Sequence, residues 1–462
     1  MSDSTASLPK QRDFEVPRVF VSGVSAWTAV ANTAAATLDA IVSGHARWSK
    51  LGGGPSSAYW AAQIDDFDAK QHVRPRKALK VMSREIQLAF ATSHRALRQA
   101  GCVDELGKWI GDIPPARVAT VFGSEMLYAA EEMADAVASC LKEQPSKRDP
   151  ADEGHVSVGI DRFGPAAMRL VSPLWLLKYL PNMPACHVGI SIGATGPNNT
   201  LVLGDVSGPA ALAEATSCLQ RGVADMAIVT ASGNRINETR RAYHGDTPWA
   251  TSTRRRDEAG KASREGVIPA EGSATLILET EDSMLRRGRV PLAQVHSVVQ
   301  RFVPSAAVLE TRRRKANLET HGRGSVAAIA AATTAALRHG PVDCLVSHAS
   351  GDPSIDAALQ QGIQQVHDIN PSRTDTNPAS TSTDSGPEII QPMDSIGHCG
   401  SASGAISMAM AVAWLQRFAP ESGGHAVAIS ATAEGAATAV RFASAVRFAS
   451  AGRFASAGGG ES

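Results

Sequence analysis

Aromatic residues make up only 5% of the 462-residue chain, so its core must be built mainly from Ala, Val, Leu and Ile. Charge of one sign is also missing, because 45 Lys+Arg balance 45 Asp+Glu. No summed positive field draws the protein to nucleic acid or to an anionic membrane, and neither is expected as a partner. The six cysteines, Cys102, Cys140, Cys186, Cys218, Cys344 and Cys399, lie far apart without a CxxC pair. That spacing excludes a zinc ribbon and a dense disulfide framework, no metal site is expected from it, and a reducing, cytoplasmic location is the expectation. Long apolar runs are absent too. Ser395–Gln416 is uncharged but carries His398, five Ser or Cys side chains and several glycines. It reads as a buried small-residue helix with its loop, not as a membrane span. Residues 1–16 lack the apolar core of a secretory signal and read as a disordered lead.

What is present is a globular composition, 43% hydrophobic and 19% charged, in a chain long enough for two similar α/β halves. Arg18–Ser25 and Val118–Gly123 read as buried strands, with an amphipathic helix over Lys77–Ala100 between them and Gly101 at its C-cap. Val188–Ile192 and Leu201–Leu203 read as further strands, Pro209–Gly222 as a helix and Met226–Thr230 as a strand. The rhythm continues with strands at Ser273–Glu279, Leu292–Val298 and Cys344–Ser347 and an Ala-rich helix near Ser325–Leu337. Strand and helix in alternation imply α/β layers on a largely parallel sheet.

The expected organisation is an N-terminal half over 17–280, carrying a polar insertion at about 138–164, and a C-terminal half over 281–440 with a low-complexity polar insert at 374–386. Three RFASA copies follow, and 441–462 reads as a flexible tail, too short in period for a solenoid.

Open α/β sheets bind ligands at strand ends and in the turns that enter helices. Asp205 lies in such a turn, between Leu201–Leu203 and the helix at Pro209, where it is either a residue satisfying helix-start amides or a site anion held by the helix dipole. His348 ends the strand Cys344–Ser347, and His398 sits in the glycine-rich turn Ser395–Gly404. Each is either a packed, hydrogen-bonded histidine or a catalytic one, and their similar settings favour a shared role. Cys399 could act as a nucleophile, but adjacent residues on a tight turn point apart.

Several ordered segments resemble the β-ketoacyl-acyl carrier protein synthase (ketosynthase) family. These are VFVSGVSAWTAVAN at the start, LPNMPACHVGISIGATGPNNT (180–200), EGVIPAEGSATLILE (265–279), VSHASGDPSID (346–356) and SIGHCGSASGA (395–405). The resemblance spans nearly the whole chain and implies the thiolase fold, a five-layer αβαβα body of two fused, pseudo-repeated halves. It also implies a single pocket holding Asp205 at the position of the family's nucleophilic cysteine together with the histidines His348 and His398.

By the same resemblance, the amides of Asp205 and Ala433 form the oxyanion hole, Ser350 and Asp352 stand in the pantetheine loop, and Met393 replaces the family's usual lysine. No bound cofactor is implied, the phosphopantetheine of acyl carrier protein being the substrate arm. Acyl carrier protein is the implied partner, with a second copy or a cysteine-containing ketosynthase completing a dimer.

Two roles in fatty acid or polyketide synthesis are left open by these residues. One is a non-elongating subunit like a chain-length factor. The other is an enzyme of altered chemistry, a malonyl decarboxylase or acyltransferase using His348 and His398. The three RFASA copies are short and Ala/Ser-rich and should contribute little to folding, so truncation after Ala445 leaves the melting temperature nearly unchanged in a calorimetric scan; a large loss would show that the repeats pack on the body.

Overall fold

The computed structural model describes residues 16–51, 59–126, 131–143, 156–158, 160–236, 238–244, 247–250, 252–254, 263–304, 321–369 and 387–445. Most of the expected lead (1–15), part of the polar insertion (144–155 and 159), the insert at 374–386 and residues 446–462 lie outside the described residues.

Ten strands form the main sheet: β1 (Val19–Trp27), β2 (Val118–Gly123), β3 (Asn198–Leu201), β4 (Met226–Asn234), β5 (Glu271–Thr280), β6 (Ala293–Phe302), β7 (Cys344–Ser347), β8 (Glu388–Ile390), β9 (His425–Ala431) and β10 (Ala436–Ser444). Six helices organise it: α1 (Arg84–Gln99), α2 (Met183–Ile192), α3 (Ser207–Gln220), α4 (His321–Leu337), α5 (Pro353–Ile369) and α6 (Ala402–Phe418). The spatial order is β8-β7-β9-β10-β6-β1-β5-β4-β2-β3.

That order contains the same five-strand pattern twice, β3-β2-β4-β5-β1 and β8-β7-β9-β10-β6. The chain traces each in the same sequence, strand–helix–strand–helix–strand–helix followed by two strands. The two copies meet where β1 pairs antiparallel with β6 over Val19–Val21 and Ala293–Val295. Helices α3 and α6 pack on each other and on strands of both halves, while α1 with α2 and α4 with α5 cover the outer faces. The result is the expected αβαβα stack of two pseudo-repeated halves. No helix among the described residues is long and apolar enough to cross a membrane.

The expectation of a largely parallel sheet is corrected. Parallel pairing is confined to β4–β2–β3 and β9–β7–β8, whereas β4–β5, β5–β1, β1–β6, β6–β10 and β10–β9 are antiparallel. Alternating strand and helix leads to parallel pairs only while a crossover helix separates the strands. The last two strands of each half pair antiparallel, β9 and β10 through a short turn and β4 and β5 through a connection whose described helix is the short Glu238–Tyr243.

Val188–Ile192 is likewise not a strand but the end of α2. In a strand, residues 188, 190 and 192 would share one face. Here Val188 and Ile192 are buried while Ile190 is 78% exposed, the pattern of one helical turn. Pro184 sits at the start of that helix, and Gly193, at φ 69, caps its end with its N–H bonded to Gly189 and Ile190 carbonyls.

The first RFASA copy is not tail. Arg441–Ser444 belong to β10, paired with both β6 and β9, and Phe442 is fully buried. Arg441 is buried as well. Its Nη1 donates to the carbonyls of Ala336 (3.1 Å) and Gly340 (2.8 Å) and its Nη2 to that of Pro341 (2.8 Å), so a cation satisfies the C-terminal end of α4. Arg441–Ser444 are strand because β6 and β9 flank them on both sides.

Outer helices α1 and α2 are tied together by His94, whose ring stacks on Phe90 and whose Nε2 lies 2.8 Å from Ser191 Oγ. Burial, aided by Arg98, pushes the His94 pKa down to about 4. The folded protein therefore refuses a proton that the unfolded chain accepts near pH 6.5, and stability complete above that pH is lost as the pH falls towards 4. The expected loss over this window is roughly 3 kcal/mol, at about 1.4 kcal/mol per unit. Urea titrations of wild type and His94→Leu should show the shallower pH slope in the variant; equal slopes would remove this histidine from the account.

Candidate functional site

The central helices α3 and α6 start close together. A Cβ on Gly208 would meet Ala405 Cβ at 2.8 Å, and one on Gly404 would meet the Asp205 carbonyl at 2.7 Å. Neither position has room for a side chain. The turn Gly204–Val206 before α3 carries Asp205, and the turn before α6 carries His398. His398 is anchored by main chain, its N–H bonding to Ile268 O (2.8 Å) and its carbonyl accepting from Ala270 N (3.0 Å). His348 follows β7 directly and its N–H bonds to Ile429 O of β9 at 3.0 Å.

These supports bring all three side chains together. Ligand-capable atoms of Asp205, His348 and His398 lie within 4.8 Å of one another, and the residues are 8%, 0% and 6% exposed. His398 Nε2 is 3.0 Å from Asp205 Oδ1, and the two imidazole centroids are 5.6 Å apart at 34°. The ring N–H does not aim at Oδ1, so neither atom completes an aligned hydrogen bond, and His398 Nδ1 is also buried without a hydrogen-bond partner among the described residues.

Two further charges reach this cluster that reading strand ends in the sequence did not pick out. Arg235 Nη2 is 3.8 Å from Asp205 Oδ1, and its Nε is 3.5 Å from Glu125 Oε1. Glu125 Oε1 accepts from Ser401 N at 2.7 Å, at the start of α6. Glu125 follows β2 just as His348 follows β7, and Arg235 is the first residue after β4, so the rule that singled out His348 would have reached both.

Burial favours the neutral acid at Asp205, but the charge and contact of His398, then His348 and Arg235, outweigh it and hold the carboxyl well below the usual carboxylate range. The group is an anion at neutral pH. Burial and Arg235 also push His244 down to about 4.

Cys399 is fully buried among core residues, and burial, with Glu271 and Asp205, raises its thiol far above the ordinary value. It has no thiolate with which to attack. Ser350 and Asp352 serve their own loop: Ser350 Oγ accepts from Asp352 N (3.1 Å), and Asp352 Oδ1 accepts from Ser354 N (2.9 Å) and from Ser354 Oγ (2.7 Å) at the start of α5. Ala433 is exposed in the turn between β9 and β10. That turn adjoins Asp205, since a Cβ on Gly204 would lie 3.7 Å from Thr432 Cγ2.

An αβαβα body of two pseudo-repeated halves with a central helix pair is the fold of the thiolase-fold ketosynthases. Solved structures agree on the fold. A type II PKS acyl-carrier protein in complex with its ketosynthase bound to the hexaketide superposes with TM-score 0.62 at 16% identity, covering 93% of this chain and 100% of that one. The ishigamide ketosynthase/chain length factor superposes with TM-score 0.60 at 20% identity, covering 92% and 99%.

Residues 17–283 match the family model described as "Beta-ketoacyl synthase, N-terminal domain", and the chain belongs to the β-ketoacyl synthase family. It is 25% identical over 292 residues to 3-oxoacyl-[acyl-carrier-protein] synthase 2 of Staphylococcus aureus, an alignment covering 60% of this chain and 61% of that protein's length.

The Glu125–Arg235–Asp205 arrangement should be energetically coupled. Removing one member of a buried ion pair costs about 3–5 kcal/mol because the other charge stays buried and uncompensated. Denaturant unfolding of Arg235→Leu and Glu125→Leu should each show a loss of that size, with the double variant losing clearly less than their sum. Strict additivity would mean that the two groups do not act on each other.

Proposed function

We propose that the protein is a non-elongating member of its family that works, in the manner of a chain length factor, beside a cysteine-bearing ketosynthase and handles acyl chains carried on the phosphopantetheine of acyl carrier protein. The observation that carries this reading is the buried Asp205 anion in the turn entering α3, where the family resemblance puts the nucleophilic cysteine. Elongation needs a nucleophile that accepts an acyl group from one thioester and releases it to a carbanion. A carboxylate attacks a thioester poorly, and the mixed anhydride it would form is labile to water. The same anion opposes entry of a malonyl carboxylate, and it draws His398 towards itself at 3.0 Å.

The named partners of the neighbouring structures, an acyl-carrier protein and a chain length factor, are in keeping with this role. A homodimer or a heterodimer with the active ketosynthase is the proposed assembly, the oxyanion-hole amides of Asp205 and Ala433 being relics of the family's chemistry.

A second reading rests on the retained histidine pair, with ring centroids 5.6 Å apart. Two imidazoles can stabilise the enolate left when a malonyl thioester loses carbon dioxide, the electron pair of the broken C–C bond passing to the thioester oxygen. Intact-mass spectrometry after incubation with acyl-acyl carrier protein should show no adduct on the wild type and an acyl adduct on Asp205→Cys. Carbon dioxide release from malonyl-acyl carrier protein should be at most slow and unchanged in His348→Ala. A stable acyl adduct at Asp205 would overturn the non-elongating role, and release that depends on His348 would establish the decarboxylase instead.

A further inference from the structure

A carboxylate in place of a thiol changes what the cluster can bind. Asp205, His348 and His398 each present one donor atom, and those atoms lie within 4.8 Å of one another. Three ligands around a tetrahedral zinc ion, at about 2.0–2.2 Å from it, stand roughly 3.4 Å apart, and the Asp205–His398 pair at 3.0 Å is already near that spacing. Two imidazoles and one carboxylate, with further positions open, form a donor set used by catalytic zinc sites and by non-haem iron.

A further observation points to a cation. Asp205 Oδ1 and His398 Nε2 are buried and face each other, yet neither completes a hydrogen bond. Buried polar atoms left in that state are rare and costly, and a metal ion between them would satisfy both.

We infer that Asp205, His348 and His398 form a divalent transition-metal site, with Zn2+ as the ion the donor set suits. The backbone holds two of the three ligands where they are needed, His398 through Ile268 and Ala270 and His348 through Ile429. The inference does not depend on the non-elongating role, because metal affinity is read without carrier protein or partner.

The test uses the full-length protein, stripped with a chelator and titrated with Zn2+ against a competing indicator. One equivalent should bind tightly enough to survive dialysis. His398→Gln and Asp205→Asn should each weaken it by more than tenfold. The exposed pair His296 and His339, whose rings lie 4.8 Å apart elsewhere on the protein, supplies the control. His296→Gln/His339→Gln should retain the equivalent, and its loss there would assign the ion to the surface and overturn the proposal. Equal affinity in wild type and His398→Gln, or no equivalent retained by wild type, would overturn it as well. Should either ligand variant fail to fold, Asp205→Cys loaded with Co2+ decides: a thiolate-to-cobalt charge-transfer band absent from wild type is expected, and bound cobalt without that band refutes the site.

Discussion

The close crossing of α3 and α6 at Gly208 and Gly404 is the constraint on which the site depends. Contact of Gly208 with Ala405, and of Gly404 with the Asp205 carbonyl, brings the entrances of the two central helices together. Because α3 comes from one half and α6 from the other, this crossing also joins the two halves of the sheet through a shared helical layer. A side chain at either glycine would push apart the turns that carry Asp205 and His398.

The duplicated topology explains why chemistry accumulates at that crossing. Each half delivers a parallel strand, β2 or β7, whose C-terminal end opens beside the central helices. Glu125 follows one and His348 the other. Each half also delivers a turn into a central helix, which carries Asp205 in one case and His398 in the other. Four ionisable or imidazole side chains thus come from two places in the unit, each present twice. Arg235, following β4, adds the compensating cation. The cluster is enclosed, so its charges act on each other with little screening.

The resident group in the turn entering α3 is a carboxylate, held ionised by its neighbours. Its anion suits attraction to a cation better than attack on a thioester. In the function we propose, that anion directs the site towards scaffolding or metal binding and away from covalent chemistry.

Much was legible in the sequence because short-range rules govern it. The boundaries of β2 follow from its β-branched run, and the helix ending before Gly101 follows from its apolar spacing, although it begins at Arg84 behind the Ser83 cap and not at Lys77. The glycine-rich turns marked where Asp205 and His398 would lie. Local rules failed at Val188–Ile192, whose β-branched residues form a helix because Val188 and Ile192 find a hydrophobic face against α1. They failed again at Arg441–Ser444, where a repeat-like composition hides a strand that β6 and β9 pair with. Antiparallel pairing, the tie between Glu125 and Arg235, and the 3.0 Å approach of His398 to Asp205 were decided by tertiary structure alone. Each joins residues far apart in the chain, and what brings such groups into contact is packing, which no local stretch of sequence encodes.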